Sequence, residues 1–555
     1  MIQKITLALA FTFCVFASNA QLSGTYTIGG SSPDYASVTA AKNDLIAQGV
    51  NGAVVFNMRD GVYNEQVNFT SVAGASATNT ITFQAENGDS SLVVLEYASN
   101  TVLNPNYTIG LSGCSYINFH QLTIRRTGTN NSARVVEFIG GASFNSFTNC
   151  ALSNEIITGS APTACIIGSN SGTVDNNNSV ANCLISGGSF GIYWYGGGAT
   201  NFETGNTFTN NQIVNSTTRG AFLNYQTALV FSGNEINTNS TSATFYGIGA
   251  TACEQLSIVK NKINCPAGGY GIQVSTSTAM AGSEGSITNN FIAVQGTAQA
   301  YGINLNTVDY YNVYYNSINV TSTDPANGRA MILQNTGSSN LNILNNNIVN
   351  TGGGYAVYFD AVTNAIVSQM NYNNIFSTGN NKAYYNGINC LTLATWQSNS
   401  GLDANSVSFN PQYVSATDLH MPPVVVNDFG TPITGLTDDI DGELRNVFSP
   451  DIGADEYAPY GNDLAITEIF EPRTNACGSD STMVGVIVRN YGFNDQSNFD
   501  LQLNVTGGFT ANETYTYTNT LLAGQKDTVY FTTLINTLAG GNADISVVAL
   551  LAGDQ

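Results

Sequence analysis

Residues 345–359 read NNNIVNTGGGYAVYF, in which an asparagine run, an aliphatic pair, a glycine run and a second apolar run follow one another. Asparagine tolerates the left-handed backbone that a sharp corner requires. Glycine lets the chain turn again before the next strand. The stretch is therefore interpreted as one corner, one short strand, one loop and the following strand.

The Asn-x-Ile or Asn-x-Leu triplet of this stretch recurs along the chain. Counted from residue 120, successive triplets are 23 to 33 residues apart, a spacing typical of stacked repeats. A second apolar run such as FGIYW, YGIGA or YAVYF follows, and room remains for a third short strand. The triplets are His120-Gln121-Leu122, Asn149-Cys150-Ala151, Asn182-Cys183-Leu184, Asn211-Gln212-Ile213, Asn234-Glu235-Ile236, Asn261-Lys262-Ile263, Asn290-Phe291-Ile292, Asn316-Ser317-Ile318, Asn346-Asn347-Ile348 and Asn373-Asn374-Ile375.

Three short strands in a repeat of about 28 residues predict a parallel β-helix, whose coils stack about 4.8 Å apart. A column of asparagines in stacked coils could exchange side-chain amide hydrogen bonds along the helix axis. Side chains alternate along a strand, so the Ile of each triplet is expected to point inward and the x residue outward. Cys150 and Cys183 occupy x positions in consecutive coils, which leaves open either a disulfide or two reduced, stacked thiols.

The composition indicates a mostly β, exported protein. Only 9% of the 555 residues are charged and 43% are hydrophobic, unlike a disordered chain. Residues 1–20 combine Lys4, an apolar run and small residues before Gln21, which predicts a secretory signal peptide. No later stretch is long and apolar enough to predict a membrane span. A net charge of −22 with 15 basic residues argues against nucleic acid and anionic membranes, and leaves a glycan or a protein as ligand.

The chain divides into five predicted segments. An amphipathic helix that Ser37 can cap and Gly49 can end precedes the repeats. Alternating strands at sandwich-like spacing follow them. The segments are a signal peptide at 1–20, an N-terminal cap with the first coils at 21–110, the β-helix repeats at 111–405, a closing segment at 406–458 and an immunoglobulin-like β-sandwich at 462–555.

These motifs resemble those of a known protein superfamily. Residues 21–458 resemble the right-handed parallel β-helix proteins of the pectin-lyase-like superfamily, through the repeated Asn-x-Ile strands. DIDGELRNVFSPDIGADEY resembles the segment that closes many secreted bacterial β-helix proteins, and residues 462–555 resemble a CARDB-type adhesion module through NDLAITEI and VRNYG. The combination is similar to large bacterial surface proteins exported by type IX secretion. The resemblance implies an all-β fold outside the cell and does not imply an activity.

The superfamily includes enzymes that act on polysaccharides, but the motifs of its lyases, polygalacturonases and esterases are not matched here. His120 falls within a triplet and is expected to be structural. His420 lies in the closing segment, away from the regular coils, so a Ser-His-Asp triad lacks a base. Two carboxylates alone can hydrolyse a glycosidic bond. Glu235, Asp309 and Asp360 are the candidate outward acids, with solvated surface acids as the alternative.

Two further groups of residues carry hypotheses about ligands. The first is an acidic turn that contains Asp438, Asp439, Asp441 and Glu443. Its carboxylate oxygens could bind Ca²⁺, the one cofactor predicted, or the residues could form a plain acidic turn without an ion. The second is an aromatic run that could offer sugar-stacking faces, although alternation assigns about half of such side chains to the core: Tyr193, Trp194 and Tyr195.

We therefore predict a secreted or cell-surface, adhesin-like β-helix scaffold that binds a glycan or protein ligand along its lateral face. The alternative is a polysaccharide-degrading enzyme, a glycoside hydrolase or a lyase, that uses carboxylates on the β-helix surface. Two acids in one groove would favour the enzyme, and acids scattered on a flat face would favour binding.

Overall fold

The structure, a computed structural model, describes residues 21–552 except 102–104, 131, 156–164, 170–171, 335–336, 361–365, 422–425, 458–461, 473–478, 493 and 539–542. The predicted signal peptide lies outside the described residues. The chain forms two compact units that divide between Glu456 and Tyr457. The described part contains two helices, Val38–Gln48 (α1) and Leu393–Ser400 (α2), and neither is long and apolar enough to cross a membrane.

Each coil of the first unit contributes one strand to each of three faces, and the coils pair in parallel. In one coil, Thr207–Thr209 lies on the first face, Gln212–Val214 on the second and Arg219–Asn224 on the third. Each of these strands pairs with the equivalent strand of the next coil. The predicted parallel β-helix with three strands per coil is confirmed.

The strand bounds follow the three faces in chain order. The first face comprises Leu22–Ile28, Val50–Met58, Ile81–Ala85, Ile117–His120, Ser146–Thr148, Ser179–Ala181, Thr207–Thr209, Val230–Ser232, Ser257–Val259, Gly285–Thr288, Ser339–Leu344 and Val367–Asn371. The second comprises Gly61–Asn64, Val93–Ala98, Thr123–Thr127, Ala151–Asn154, Leu184–Ser186, Gln212–Val214, Glu235–Asn237, Lys262–Cys265, Phe291–Val294, Ser317–Val320, Asn347–Asn350 and Asn374–Ser377. The third comprises Val67–Thr70, Tyr107–Ser112, Arg134–Ile139, Cys165–Ser169, Phe190–Tyr195, Arg219–Asn224, Tyr246–Thr251, Gly269–Thr278, Gly328–Gln334, Tyr355–Asp360, Ala383–Tyr385 and Ile388–Cys390. Ala300–Tyr314 runs through the third and first faces and joins them, and Glu203–Thr204 pairs with Gln226–Thr227 at the corner between these two faces.

The predicted capping helix is confirmed at the N-terminal end. The Ala40 N–H donates to Ser37 Oγ at 3.1 Å and thereby caps α1. Gly49 ends the helix with φ 70°, a conformation that favours glycine. Val38 and Leu45 are buried against the first coils, so α1 covers apolar surface that an open β-helix end would expose.

The core is built from columns of identical side chains. On the first face, four phenylalanine rings of successive coils lie one above the other, with centroids 4.6, 5.8 and 4.7 Å apart: Phe56, Phe83, Phe119 and Phe147. On the second face, the triplet isoleucines point inward, as predicted, and are almost fully buried: Ile213, Ile236, Ile263, Ile292, Ile318, Ile348 and Ile375.

A column of buried asparagines lines the corner between the first and second faces. The backbone N–H of Asn261 donates to Asn290 Oδ1 at 2.9 Å, and its side-chain Nδ2 donates to the same oxygen at 3.0 Å and to Phe231 O at 2.9 Å. Its own Oδ1 accepts from Asn234 in the same way. The pattern repeats through Asn211, Asn234, Asn261, Asn290, Asn316, Asn346 and Asn373.

The first three triplets sit in a different register from the one the sequence predicts. Asn149 and Asn182 have φ values of 54° and 55° and form the left-handed corner residue, so the following Cys150 and Cys183 fill the ladder position. Likewise, Gln121 is the corner residue. His120 therefore ends a first-face strand, and its assignment to the ladder is wrong.

Cys150 and Cys183 consequently point into the corner and are 2% and 1% exposed, whereas outward positions were predicted. Both cysteines are free, and the Cys150 N–H donates to Cys183 Sγ at 3.4 Å. The structure thus has the reduced, stacked thiols and not the disulfide. Physically, each thiol replaces an asparagine amide as a weaker member of the same hydrogen-bonded column.

The second unit consists of two antiparallel three-stranded sheets. One has Leu464–Glu471, Gly485–Asn490 and Lys526–Tyr530, and the other has Ala511–Tyr517, Phe499–Gly507 and Ala543–Leu550. Alternate side chains of both sheets, including Val486, Val488, Leu501 and Leu503, share one core. The all-β fold class, a β-helix followed by a small β-sandwich, is therefore confirmed.

Replacing Asn261 by Ala is expected to destabilise the first unit. The change leaves the buried Asn234 N–H without its acceptor and removes the side-chain hydrogen bond to the Phe231 carbonyl, which costs about 2 kcal/mol. The melting temperature should fall clearly. The control is Asn237→Ala, which removes an exposed amide and should change the melting temperature little. Equal effects of the two substitutions would contradict a stabilising role for the ladder.

Replacing Cys183 by Asn is expected to stabilise the protein by about 1 kcal/mol. An amide at this position can accept from the Cys150 N–H and donate to Phe147 O and Asn211 Oδ1, where the thiol makes only weak bonds. The measurement is the melting temperature under reducing conditions. A decrease would show that the corner at this coil is shaped for sulfur and not for an amide.

Candidate functional site

Residues 406–421 and 426–456 of the predicted closing segment run back over the second face and decide which of its outward residues reach solvent. Phe409 exchanges hydrogen bonds with Asn374, Met421 Sδ accepts from Asn347 Nδ2, and the Ala454 N–H donates to Ser317 Oγ. Further along the face, the ring of His420 packs against Phe291 with centroids 4.9 Å apart. The segment therefore covers four successive coils from Asn374 to Phe291.

This cover explains why outward triplet positions differ in exposure. The x residues of the covered coils are buried, contrary to the prediction that they face solvent: Phe291, Ser317, Asn347 and Asn374. In the two coils that precede Lys262 the x residues are exposed, as predicted: Gln212 and Glu235. The second face thus changes from open to covered at the coil of Lys262.

A cleft of about 260 Å³ lies at this step. Its floor comes from two coils of the second face, which contribute Glu235, Asn237, Lys262 and Asn264. Its wall comes from the closing segment and Phe291: Thr417, Asp418 and His420. Carboxylates, amides and a histidine therefore line one concave cleft. The uncovered coils of the second face beside it, where Gln212 and Glu235 are exposed, form an open ledge.

Ion pairs fix the wall of the cleft. Lys262 Nζ lies 2.9 Å from Asp441 Oδ1, and His420 Nε2 lies 2.8 Å from Asp441 Oδ2. His420 Nδ1 also contacts the Asp418 carboxylate. The hydrogen bond with Asp441 raises the pKa of His420 to about 9, and the same bond lowers the pKa of Asp441 to about 2. At neutral pH the imidazole is held in its charged form, so it is not a ready proton acceptor.

The structure does not bring the four predicted calcium ligands together. Asp438 pairs with Lys260 at 2.6 Å. Asp439 is fully buried, and its carboxylate accepts from the backbone N–H groups of Asp441, Glu443 and Glu456 at 2.8–3.0 Å. The Asp439 side chain therefore closes the turn instead of facing outward. The Glu443 side chain is exposed.

The three candidate catalytic acids lie apart. Glu235 is on the second face, in the cleft. Asp309 lies in the long strand Ala300–Tyr314 and accepts a hydrogen bond from Ser339 Oγ at 2.7 Å. Asp360 is exposed at the end of a third-face strand, several coils away. Of the three, Glu235 alone lines the cleft together with another acid, Asp418.

The predicted aromatic ligand site is mostly core. Trp194 is fully buried between Phe138 and Phe208, with ring centroids 4.8 and 5.1 Å away, so it cannot contact a ligand. Tyr193 is 9% exposed, and Tyr195 is half-buried. The alternation that separates inward from outward residues explains this outcome, because Trp194 points inward between two outward tyrosines.

Further aromatic residues stack on one another along the third face. The Tyr246 and Tyr270 rings lie 4.4 Å apart and nearly parallel, and the guanidinium of Arg219 lies 4.1 Å from the Tyr246 ring centroid. Tyr358 and Tyr384 form a similar pair at 4.3 Å. Because these rings cover one another's faces, they do not form a flat platform for a sugar ring.

The role of His420 was not predicted from the sequence. The residue was expected to lie away from the regular coils, but it packs on Phe291 and lines the cleft. The missed signal was Phe291 itself, the one aromatic residue among the triplet x positions. An apolar residue at an outward position indicates that another part of the chain covers it.

Comparisons with known proteins give weak likenesses in structure and none in sequence. No protein-family model matches the chain, and no curated protein matches it. Pectate lyase Pel9A is 15% identical, with a TM-score of 0.39 over 79% of this chain and 98% of its own. Pectin methylesterase from Aspergillus niger is 13% identical, with a TM-score of 0.30 over 53% and 86%. A GH136 lacto-N-biosidase from Eubacterium ramulus is 10% identical, with a TM-score of 0.38 over 66% and 67%.

Replacing Asp439 by Asn is expected to loosen the closing segment. The Asn side chain has one acceptor oxygen, and its N–H₂ group would face backbone N–H groups that the second carboxylate oxygen now accepts. This loss should lower the stability of the turn by about 2 kcal/mol. Limited proteolysis should then cut residues 406–456 faster than in the wild type. The control is Asp438→Asn, which removes a partly exposed ion pair worth at most about 1 kcal/mol. Equal cleavage rates for both variants would contradict the assignment of Asp439 as the acid that closes the turn.

Proposed function

We propose that this protein is an extracellular β-helix scaffold that binds a glycan on the open part of its second face, with one sugar residue seated in the step cleft. The observation that carries the proposal is the cleft itself. It is concave, it is lined by polar groups from two parts of the chain, and it opens onto an uncovered ledge of the β-helix.

The chemistry of the cleft suits sugar hydroxyl groups. Carboxylates accept hydrogen bonds, amides accept and donate, and ammonium groups donate, so neighbouring hydroxyls of one ring can be bound in pairs. Glu235, Asn237 and Asn264 supply such groups from the floor, and Thr417 and Asp418 supply them from the wall. These polar groups fix orientation and specificity, while the flat ledge beyond Glu235 leaves space for the rest of a chain.

The charge of the protein narrows the class of glycan. A net charge of −22 and the acids of the cleft oppose a polyanionic ligand at low salt. A neutral or amino-bearing glycan meets no such barrier. The location outside the cell rests on the signal-peptide pattern of residues 1–20.

A second candidate is glycoside hydrolysis at the same cleft. It is favoured by the presence of two acids in the lining of one cleft, Glu235 on the floor and Asp418 on the wall. Hydrolysis of a neutral glycan needs two well-placed carboxyl groups. The hydrogen bond from His420 to Asp418 holds the wall acid in one orientation.

Screening of the purified protein on a glycan array is expected to give neutral-glycan hits that Glu235→Gln weakens at least about tenfold, because the charged acceptor is lost. The matched control is Asp360→Asn, an exposed acid on the third face, which should leave binding unchanged. Every hit is then incubated with wild type and examined for shortened products. Binding without shortening supports the scaffold, and shortening that Glu235→Gln abolishes establishes the hydrolase. An equal loss of glycan binding in both variants would contradict the assignment of the cleft as the binding site.

A further inference from the structure

Asp455 is a buried carboxylate whose basic neighbour is the imidazole of His420. It is 8% exposed, and its Oδ2 accepts one hydrogen bond, from the Met421 N–H at 2.9 Å. Among the described residues, no lysine or arginine forms an ion pair with it. Burial raises its pKa. Buried carboxylates are normally neutralised by a paired cation or by a metal ion, because an isolated charge is costly in a protein interior.

The side chain of Asp455 lies beside two further metal-ligating groups. One ligand atom each of His420, Asp441 and Asp455 lies within 4.8 Å of the others. The contact from His420 Nε2 to Asp441 Oδ2 is 2.8 Å. In the described part of the chain this is the one group of three or more such side chains that converges in this way.

The other nitrogen of His420 is held by a carboxylate. His420 Nδ1 contacts Asp418 Oδ1, which orients the ring so that Nε2 faces Asp441. A carboxylate on the far nitrogen is the usual support of a metal-bound histidine, because it fixes the ring and increases the basicity of the ligand nitrogen. Three carboxylates thus surround one imidazole, and the single ammonium among them is that of Lys262 on Asp441.

We propose that His420, Asp441 and Asp455 bind one divalent transition-metal ion of the Zn²⁺ class, with Asp418 as the positioning residue for His420. One nitrogen and two carboxylate ligands suit Zn²⁺ or Co²⁺ and not Ca²⁺, which takes oxygen ligands. Binding displaces the proton that Nε2 shares with Asp441 and releases it to solvent. Ligand atoms about 3.4 Å apart would fit a tetrahedral ion.

The ion would cross-link three parts of the closing segment. His420 lies in the cleft wall, Asp441 lies in the acidic turn and Asp455 precedes the last residue of the unit. The metal site therefore borders the cleft, because His420 and Asp418 line it, whereas Asp441 and Asp455 do not. Its expected effect is on the stability of the closing segment.

The test uses purified protein comprising residues 21–555 after removal of metals with a chelator and dialysis. Co²⁺ is titrated while its visible absorption is recorded, and Zn²⁺ is titrated in a calorimeter. Wild type should bind one equivalent of each ion. His420→Gln and Asp455→Asn should lose this binding, and Asp418→Asn should weaken it roughly 10–100-fold. The matched control is His120→Gln, which removes the other histidine of the chain and should bind as wild type does.

Folding of each variant is checked by circular dichroism and by its melting temperature without metal. Zn²⁺ should raise the melting temperature of wild type and of His120→Gln and should leave that of Asp455→Asn unchanged. No stoichiometric binding to wild type, or equal binding to His420→Gln and wild type, would overturn the proposal. Displacement of bound Co²⁺ by a tenfold excess of Ca²⁺ would overturn the nitrogen-containing site.

Discussion

The amide column in the corner between the first and second faces is the interaction on which the rest of the β-helix depends. Each ladder asparagine satisfies the backbone N–H groups of its neighbours and carbonyls of the coil before, all of which are buried. An unpaired buried backbone group costs as much as a lost hydrogen bond or more. By fixing this corner in the seven coils from Asn211 to Asn373, the column sets the register of the inward isoleucines and of the outward positions beside them.

The closing segment interrupts the regular surface of the β-helix. Regular coils alone would present an unbroken polar face, but the segment covers four coils and stops beside Lys262. Its own fold is held by buried polar contacts. Asp439 accepts three backbone N–H groups, and Arg445 pairs with Glu456 at 3.1 Å while lying over the Tyr315 ring. The cleft exists because the closing segment, which these contacts anchor, ends beside exposed coils of the second face.

Much of the fold could be predicted from sequence because the repeats encode it locally. Asn346, Ile348 and the glycines at 352–354 each specify their own backbone state, so the coil follows from a short stretch. The register of the early coils could not be predicted, because Asn182 is both a good corner residue and a good ladder residue. The structure distinguishes the two roles, because the Cys183 N–H donates to Asn211 Oδ1 while Asn182 has the left-handed backbone of the corner.

The candidate site was less predictable, since it depends on contacts between distant parts of the chain. Glu235 could be recognised as outward from its triplet alone. His420 could not be placed beside it, because 185 residues separate the two in sequence and no repeat connects them. Likewise, the acidic turn at 438–443 suggests an open ion site until Asp439 is seen to point inward.

The column also has a direction. The hydrogen bonds between ladder residues run one way, because each asparagine donates to the ladder residue on its C-terminal side and accepts from the one on its N-terminal side. The two ends of the column are therefore chemically different. The last member, Asn373, has donors left over, and the buried carboxylate of Asp403 and the hydroxyl of Ser406 accept them. A shortened version of this β-helix engineered by deleting whole coils would therefore need an acceptor such as a carboxylate at its new C-terminal corner. Its N-terminal corner would need a backbone N–H for the free side-chain oxygen and a backbone carbonyl for the second amide hydrogen, and an ordinary preceding coil provides both.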